Sequence, residues 1–247
     1  MNKDILLRDR LLYSEFWSLI KKVGKAITDY NMIEEGDRIL VAVSGGKDSF
    51  SLLHLLDFRR KISPVKYEII ACYVHYNRPD EFKEKMKEYF ERYHFKYVIK
   101  DLELIDNKDM KKIKCFWCSW NRRKVLFQTA KELNCKKLAL GHHLDDIAQS
   151  ILLNLIFHGE ISSSPPYLEF FGGRLIVIRP LCYIEEKDIQ KLSKSLNFPD
   201  YDIKCPVKFD SKRNLIKNFI NSLSKDHSNV KINIFKALRN IRERFLT

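Results

Sequence analysis

Apolar residues recur at helical spacing over residues 11–30 (Leu12, Phe16, Ile20, Val23, Ile27), which predicts an amphipathic helix. The period then changes. "EEGDRILVAV" ends in an unbroken apolar run and predicts a buried strand, and "DSFSLLHLLDF" behind it reads as a helix. The exchange repeats: "EIIACYVHY" predicts a second strand, residues 80–94 a charged helix packing through Phe82, Met86, Tyr89 and Phe90, and "KYVIK" a third, short strand. A helix from about Ser119 to Asn134 follows, then strand "KKLALG", helix "DDIAQSILLNLIF", and "RLIVIRP" as the last clear strand. Beyond about residue 185 the pattern is helical and basic, closing with "LRNIRERF".

Strands alternating with helices predict an α/β fold: a doubly wound, mostly parallel sheet covered on both faces, with helical N- and C-terminal extensions. The expected division is a helical segment at 1–36, the α/β domain at 37–184 and a basic helical extension at 185–247. No internal repeat or low-complexity linker interrupts it. Ligands of such sheets bind beyond the carboxyl ends of the strands, where "VAVSGGKDS" and "LALGHHLDD" both fall.

Composition adds a partner class. The chain has 247 residues, 45% of them hydrophobic, enough for an ordinary core. Lys and Arg total 45 against 32 Asp and Glu, and a net charge of +13 favours polyanions. No apolar run approaches the roughly 18 residues of a spanning helix, and "MNKDILLRDRLLYSEF" mixes both charge signs unlike a secretory signal. A cytoplasmic protein without a membrane partner is expected, its six cysteines (72, 115, 118, 135, 182, 205) reduced and free to bind metal.

In "SGGKDS", Gly45 and Gly46 can turn successive backbone N–H groups inward, and the helix starting near Asp48 adds its positive end. Ser44 and Ser49 offer hydroxyls and Lys47 a mobile cation. This is a phosphate cradle in principle, or a plain strand–turn–helix capped by Ser44 or Asp48. It is not a Walker loop, which would need glycine at Val41 and serine or threonine at Asp48. Asp48 suits magnesium. The motif in this setting resembles the PP-loop of ATP pyrophosphatases, an adenine nucleotide alpha hydrolase-like, Rossmann-like family that cleaves ATP between the α and β phosphates. The resemblance implies ATP and Mg²⁺ as cofactors, with Ser44, Gly45, Gly46, Lys47, Asp48 and Ser49 on the pyrophosphate. It also puts His75, at the end of the second strand, in the nucleotide site.

"LALGHHLDD" sets Gly141, two histidines, Asp145 and Asp146 at a helix start, where acids can simply cap. A zinc site would lack a nearby third ligand. Beside SGGKDS, the segment resembles the G-H-H-x-D-D signature of the tRNA-thiolating branch of PP-loop enzymes. That places Gly141, Asp145 and Asp146 along the ATP and target-base pocket, with an acid to hold Mg²⁺ or move a proton.

"KCFWCSWNRRK" has the C-x-x-C spacing with which Cys115 and Cys118 reach one metal. A thioredoxin pattern is missing. Cys72, Cys135 and Cys182 read as buried small hydrophobes, which leaves Cys205, in "DIKCPVK", as the third ligand. The arrangement resembles the tRNA 2-thiocytidine synthetase family, through "RRKVLFQTAKEL", "GHHLDDIAQSILLNLIF", "SSSPPYL", "IVIRPL" and "EEKDI" as well, over roughly residues 15–240. The resemblance implies a [4Fe-4S] cluster on Cys115, Cys118 and Cys205, with one iron open to an external sulfur species. Where family members often carry a second C-x-x-C, the place of its second cysteine, three residues beyond Cys205, is taken by Lys208; the ligand role needs only the first cysteine.

Lys111, Lys112, Lys114, Arg122, Arg123 and Lys124 lie beside Phe116, Trp117 and Trp120, and Lys204, Lys208, Lys212, Arg213 and Lys217 form a second basic run. Cations interleaved with aromatics suit splayed RNA bases; a solvated helix face is the plain alternative. The expected function is a tRNA sulfurtransferase. The C2 oxygen of an anticodon-loop cytidine, position 32 by resemblance, attacks the α-phosphate. Sulfur from a donor (cysteine desulfurase-derived or inorganic sulfide) then replaces that oxygen to give 2-thiocytidine. Lys47, Asp48, Asp145 and the three cysteines are the expected catalytic set. Members of the family are often homodimers. A tRNA-uridine 2-thiolase, a cytidine–lysidine ligase, a zinc-bearing adenylating enzyme and a non-enzymatic RNA-binding protein are the competing readings.

Overall fold

The structure, a computed structural model, describes residues 10–76, 79–102, 115–199, 211–242 and 244. In chain order these form α1 (Arg10–Asp29), β1 (Arg38–Ala42), α2 (Lys47–Ile62), β2 (Glu68–His75), α3 (Glu81–Arg92), β3 (Tyr97–Asp101), α4 (Cys115–Glu132), β4 (Lys137–Ala139), α5 (Leu144–His158), β5 (Tyr167–Phe170), β6 (Leu175–Ile178), α6 (Glu186–Ser195), α7 (Ser211–Asp226) and α8 (Val230–Ala237). No helix among the described residues is long and apolar enough to cross a membrane.

The strands lie in the order β3-β2-β1-β4-β6-β5. All pairs are parallel except β5 with β6, as the alternating pattern predicts. After β1 the chain builds outward through β2 and β3, then crosses to the other side of β1 to lay down β4. The carboxyl ends of β1 and β4, paired Val41 to Ala139, therefore flank a switch point from which the two connections diverge.

Strand alternation sorts the core into two faces. Ile39, Val41, Ala71 and Tyr73 pack under α1, α2 and α3 with Phe16, Phe50 and Phe90. Leu40, Ile70, Cys72 and Leu138 face the other way, against Ala130, Leu126 and Phe127 of α4. A satellite cluster of Ala148, Ile216 and Ile220 seats α7 on α5. At the amino end of the sheet, Lys137 is 1% exposed and sits 2.6 Å from Asp37. Burial of such an amine is tolerated only with a partner carboxylate.

Two sequence expectations change. The helix expected from Ser119 begins at Cys115, so the C-x-x-C pair occupies its first turn rather than the loop before it. Strand β5 was missed because its side chains are half-buried at an edge and carry no apolar run. Its signal is the turn behind it: Phe171, Gly172 and Gly173 have φ of 55°, 65° and 79°, a glycine-containing hairpin.

Candidate active site

The turn from β1 to α2 runs through Ser44, Gly45 and Gly46. Gly45 has φ of 90°, a conformation only glycine takes without strain, and Gly46 is extended at φ −94°, ψ 162°. No side chain caps α2, so neither Ser44 nor Asp48 plays that part. The first N–H groups of α2, including those of Lys47 and Asp48, have no acceptor within the helix. Ser49 closes the turn from inside: its Oγ accepts from the Ser44 N–H at 3.1 Å and donates to the Gly46 carbonyl at 2.8 Å. A loop with free amide donors, held by its own serine, is built for an anion.

The second loop lies directly against it. A Cβ added to Gly141 would stand 3.2 Å from the carbonyl carbon and oxygen of Asp48 and 3.3 Å from the Ser49 nitrogen. Any larger residue would crowd the facing backbone, which would have to give by a few tenths of an ångström. The His143 N–H donates to Asp146 Oδ2 at 3.1 Å. Its ring Nε2 lies 3.4 Å from Asp146 and 3.9 Å from Asp48, while Nδ1 is buried 3.7 Å from Asp145 and makes no hydrogen bond.

The carboxylates differ in what holds them. Asp48 pairs with Lys47 at 3.1 Å, but its buried Oδ1 accepts no well-formed hydrogen bond. Burial raises its carboxyl above the usual range, against the pull of His143 and Lys47. Asp145 is fully engaged: Lys231 of α8 sits 2.5 Å from one oxygen, and the Glu186 N–H donates to the other at 2.8 Å. Asp146 is the partly open one, 3.4 Å from Arg213 of α7.

Glu186, at the start of α6, lies 3.3 Å from Lys47 and 3.0 Å from Lys217 of α7. Burial opposes its ionisation, yet Lys217 and Lys47 outweigh it and bring the carboxyl down to about 2. Lys217, Arg213 and Lys231 thus tie the two C-terminal helices to acids at the rim of the loops. The sequence reading placed Lys217 and Arg213 in a basic run but missed Glu186 and Lys231. Glu186 stood in "EEKDI" with no composition or spacing to single it out.

A cleft of about 220 Å³ opens at the switch point, bounded by Val43 and Ser44 on one side and Arg122 and Arg123 of α4 on the other. Strand β2 faces it with Cys72 and Val74, and Tyr76 follows in the same alternation. His75, expected in the nucleotide site, has its side chain on the opposite face, 3.5 Å from Asp80. A second cavity of about 260 Å³ lies between α5 and α7, walled by Asp146, Asn154, Phe157, Lys212 and Arg213. His142 lines both.

Of the cysteines, Cys115 and Cys118 share the first turn of α4 at a spacing that puts them on one helix face. Cys118 is partly exposed; the side chain of Cys115 lies outside the described part of the structure. Cys205 lies outside the described residues, as do Lys111, Lys112, Lys114, Lys204 and Lys208. No group of three metal-ligating side chains occurs among the described residues. Cys72, Cys135 and Cys182 are buried, and burial raises all three thiols, Cys72 and Cys182 to about 12. They are inert core residues.

Residues 17–224 match the family model of the PP-loop domain. The chain is 40% identical over 250 residues to a tRNA-cytidine(32) 2-sulfurtransferase of Geotalea uraniireducens, covering 98% of this chain and 96% of that one. It is 38% identical to the protein of that name from Syntrophotalea carbinolica, covering 98% and 94%. Among solved structures, the U34-tRNA thiolase NcsA from Methanococcus maripaludis, determined with its [4Fe-4S] cluster, superposes with a TM-score of 0.75 at 24% identity. That match covers 92% of this chain and 80% of the thiolase, and it shows a shared fold.

Proposed function

The chain belongs to the PP-loop family, within its tRNA-cytidine(32) 2-sulfurtransferase branch, and from that premise we propose that it uses ATP to replace the C2 oxygen of an anticodon-loop cytidine of tRNA by sulfur. The catalytic unit is residues 37–184, and the basic extension at 185–247 meets the RNA. The observation that carries the reading is the backbone contact of Gly141 with Asp48 and Ser49 at the switch point. It makes one site of the SGGKDS and GHHLDD loops, and a cleft opens beside it.

ATP lies in that cleft with its phosphates over the 44–49 turn. The amide groups of the turn and Lys47 bear the charge that grows on the pyrophosphate as it leaves. Arg122 and Arg123 face the same space from α4. The C2 oxygen of cytidine attacks the α-phosphate, and a sulfur nucleophile then attacks C2 and expels AMP. Asp48, whose buried Oδ1 lies beside Lys47 without a well-formed hydrogen bond, and Asp146 would hold Mg²⁺, which neutralises phosphate charge when bound. Asp145 braces α6 and α8 instead.

The donor chemistry fits an iron–sulfur group in part: two cysteines one helical turn apart, the second partly exposed, open α4 beside Ser119, which lines the cleft. Cys115, Cys118 and Cys205 would hold a [4Fe-4S] cluster, which supplies a binding place for sulfur when bound. The target base reaches the site from the cavity between α5 and α7, where Arg213 and Lys212 offer charge and Phe157 an aromatic face.

The test is direct. Anaerobically reconstituted protein, given tRNA, ATP, Mg²⁺ and sulfide, is expected to release pyrophosphate only when tRNA is present. Mass spectrometry of the digested tRNA should show 2-thiocytidine. Lysidine, or 2-thiouridine alone, would replace this reading with another; tRNA binding without pyrophosphate release would remove the enzyme from it.

A further inference from the structure

His142 is held in a way its neighbours are not. Arg179, 6% exposed just beyond β6, donates from Nε to His142 Nδ1 at 3.3 Å. Its Nη1 donates to the Pro165 carbonyl, and its own N–H donates to the Pro166 carbonyl at 2.8 Å. The guanidinium is thus held by one further hydrogen bond, and the backbone that carries it by another. A guanidinium can only donate, so Nδ1 must present its lone pair, and the proton of the neutral ring must sit on Nε2. Burial first, and Arg179 second, push the ring down to about 4, so it is uncharged at neutral pH. No described residue makes a hydrogen bond to Nε2.

Location says what this donor meets. His142 is the one described residue that lines both the cleft beside the SGGKDS turn and the cavity between α5 and α7. Under the proposed function, on which this inference rests, the nucleotide fills the first and the base enters from the second. The group passed between them is the α-phosphoryl group. We infer that Nε2–H of His142 donates a hydrogen bond to a non-bridging oxygen of the α-phosphoryl group during adenylyl transfer, and that Arg179 is the positioning residue that keeps it a donor. The bond from phosphorus to the C2 oxygen forms, and the bond to the β-phosphate bridging oxygen breaks. Pyrophosphate leaves with the electron pair, and no proton moves at His142. The donor strengthens its bond as charge gathers on the oxygens, which lowers the barrier more than it tightens ATP binding.

Amide side chains separate this role from packing, because glutamine places its N–H close to the imidazole Nε2 and asparagine close to Nδ1. In full-length protein, tRNA-dependent pyrophosphate release is measured for the wild type and for His142→Ala, His142→Asn and His142→Gln, with ATP affinity and circular dichroism alongside. The expected loss for Ala and Asn is about 100-fold in kcat, with ATP affinity nearly unchanged, as for loss of one transition-state donor. His142→Gln should stay within roughly tenfold of wild type, since it restores the donor. Arg179→Lys should slow the wild type but not His142→Gln, a coupling that two independent structural roles would not give. Equal rates for Asn and Gln, or a wild-type rate for Ala, overturn the inference and leave the function standing. Wild-type protein that releases no pyrophosphate with any tRNA overturns the function itself, and the role of His142 falls with it.

Discussion

Lys47 Nζ lies 3.3 Å from Oε1 of Glu186, a residue 139 positions further along the chain. The pair joins the phosphate turn to the start of α6, and Glu186 passes the link on to Lys217 of α7 at 3.0 Å. The ammonium group of the turn is therefore held by a carboxylate outside the motif. Glu186→Gln keeps the shape and removes the charge that holds both lysines. The expected result is a rise in KM for ATP of about tenfold with a smaller fall in kcat, because positioning of the cation is lost rather than the cation itself. Steady-state pyrophosphate release at varied ATP checks it; an unchanged KM would detach Glu186 from the site.

Gly141→Ala tests the contact on which the site rests. The added methyl would lie 3.2 Å from the Asp48 carbonyl, against backbone that cannot rotate away. One loop must shift, and a forced fit of this kind costs about 1–3 kcal/mol. Most of that should fall on nucleotide binding, since the displaced segment is the phosphate turn. Isothermal titration with ATP should show affinity at least about tenfold weaker, as a strain of some 1.4 kcal/mol requires. Affinity equal to wild type would mean the loops part freely and do not act as one site.

How far the chain could be read from its sequence follows from how locally each feature is encoded. The parallel sheet was legible because Ile39, Leu40 and Val41, or Ile69 to Tyr73, are continuous apolar runs, as strands buried on both faces must be. The tight turn after β1 was legible because it is written in six consecutive residues. Strand β5 was not, since an edge strand needs no apolar run. Glu186, Lys231 and Arg179 were illegible for another reason: each acts on a partner brought to it by the fold, across 139 residues for Lys47 and Glu186 and 37 for Arg179 and His142. At the end of β2, alternation gives the cleft to Val74 and Tyr76 and turns the His75 side chain to the opposite face.

His54 makes stability depend on pH. It is 2% exposed among Tyr89, Tyr93 and Phe95, with Nε2 2.6 Å from the Tyr89 hydroxyl, and burial pushes it down to about 3. Unfolded, the imidazole takes a proton near pH 6.5; folded, it does not until about 3. This contribution to stability is whole above about 6.5 and is lost as pH falls toward 3, at up to about 1.4 kcal/mol per pH unit. Melting at pH 5 should lie on the order of 5 °C below that at pH 7.5, given the usual 2–4 °C per kcal/mol for a chain of this size. His54→Leu should melt lower at both pH values, having lost the buried hydrogen bond between His54 and Tyr89, yet show a smaller difference between them. An undiminished difference would assign the acid sensitivity elsewhere.

The thiols divide by burial, and metal removal should follow the same line. Cys72, Cys135 and Cys182 lie in the core with raised pKa values, where a thiolate is disfavoured, and thiolates are what iron and zinc bind. Cys118 is partly exposed in the first turn of α4, where the helix dipole favours an anion. After anaerobic reconstitution with iron and sulfide, Cys118→Ser and Cys205→Ser should each lose the iron and the visible absorbance. Cys135→Ala should keep both. ATP affinity should survive in all three, because the phosphate turn uses no thiol, while thiolation of tRNA should vanish with the iron. Chelation of iron from the wild type should reproduce the two serine variants. Iron retained by Cys205→Ser, with thiolation intact, would remove that residue from the metal site and leave the C-x-x-C pair in need of a different partner.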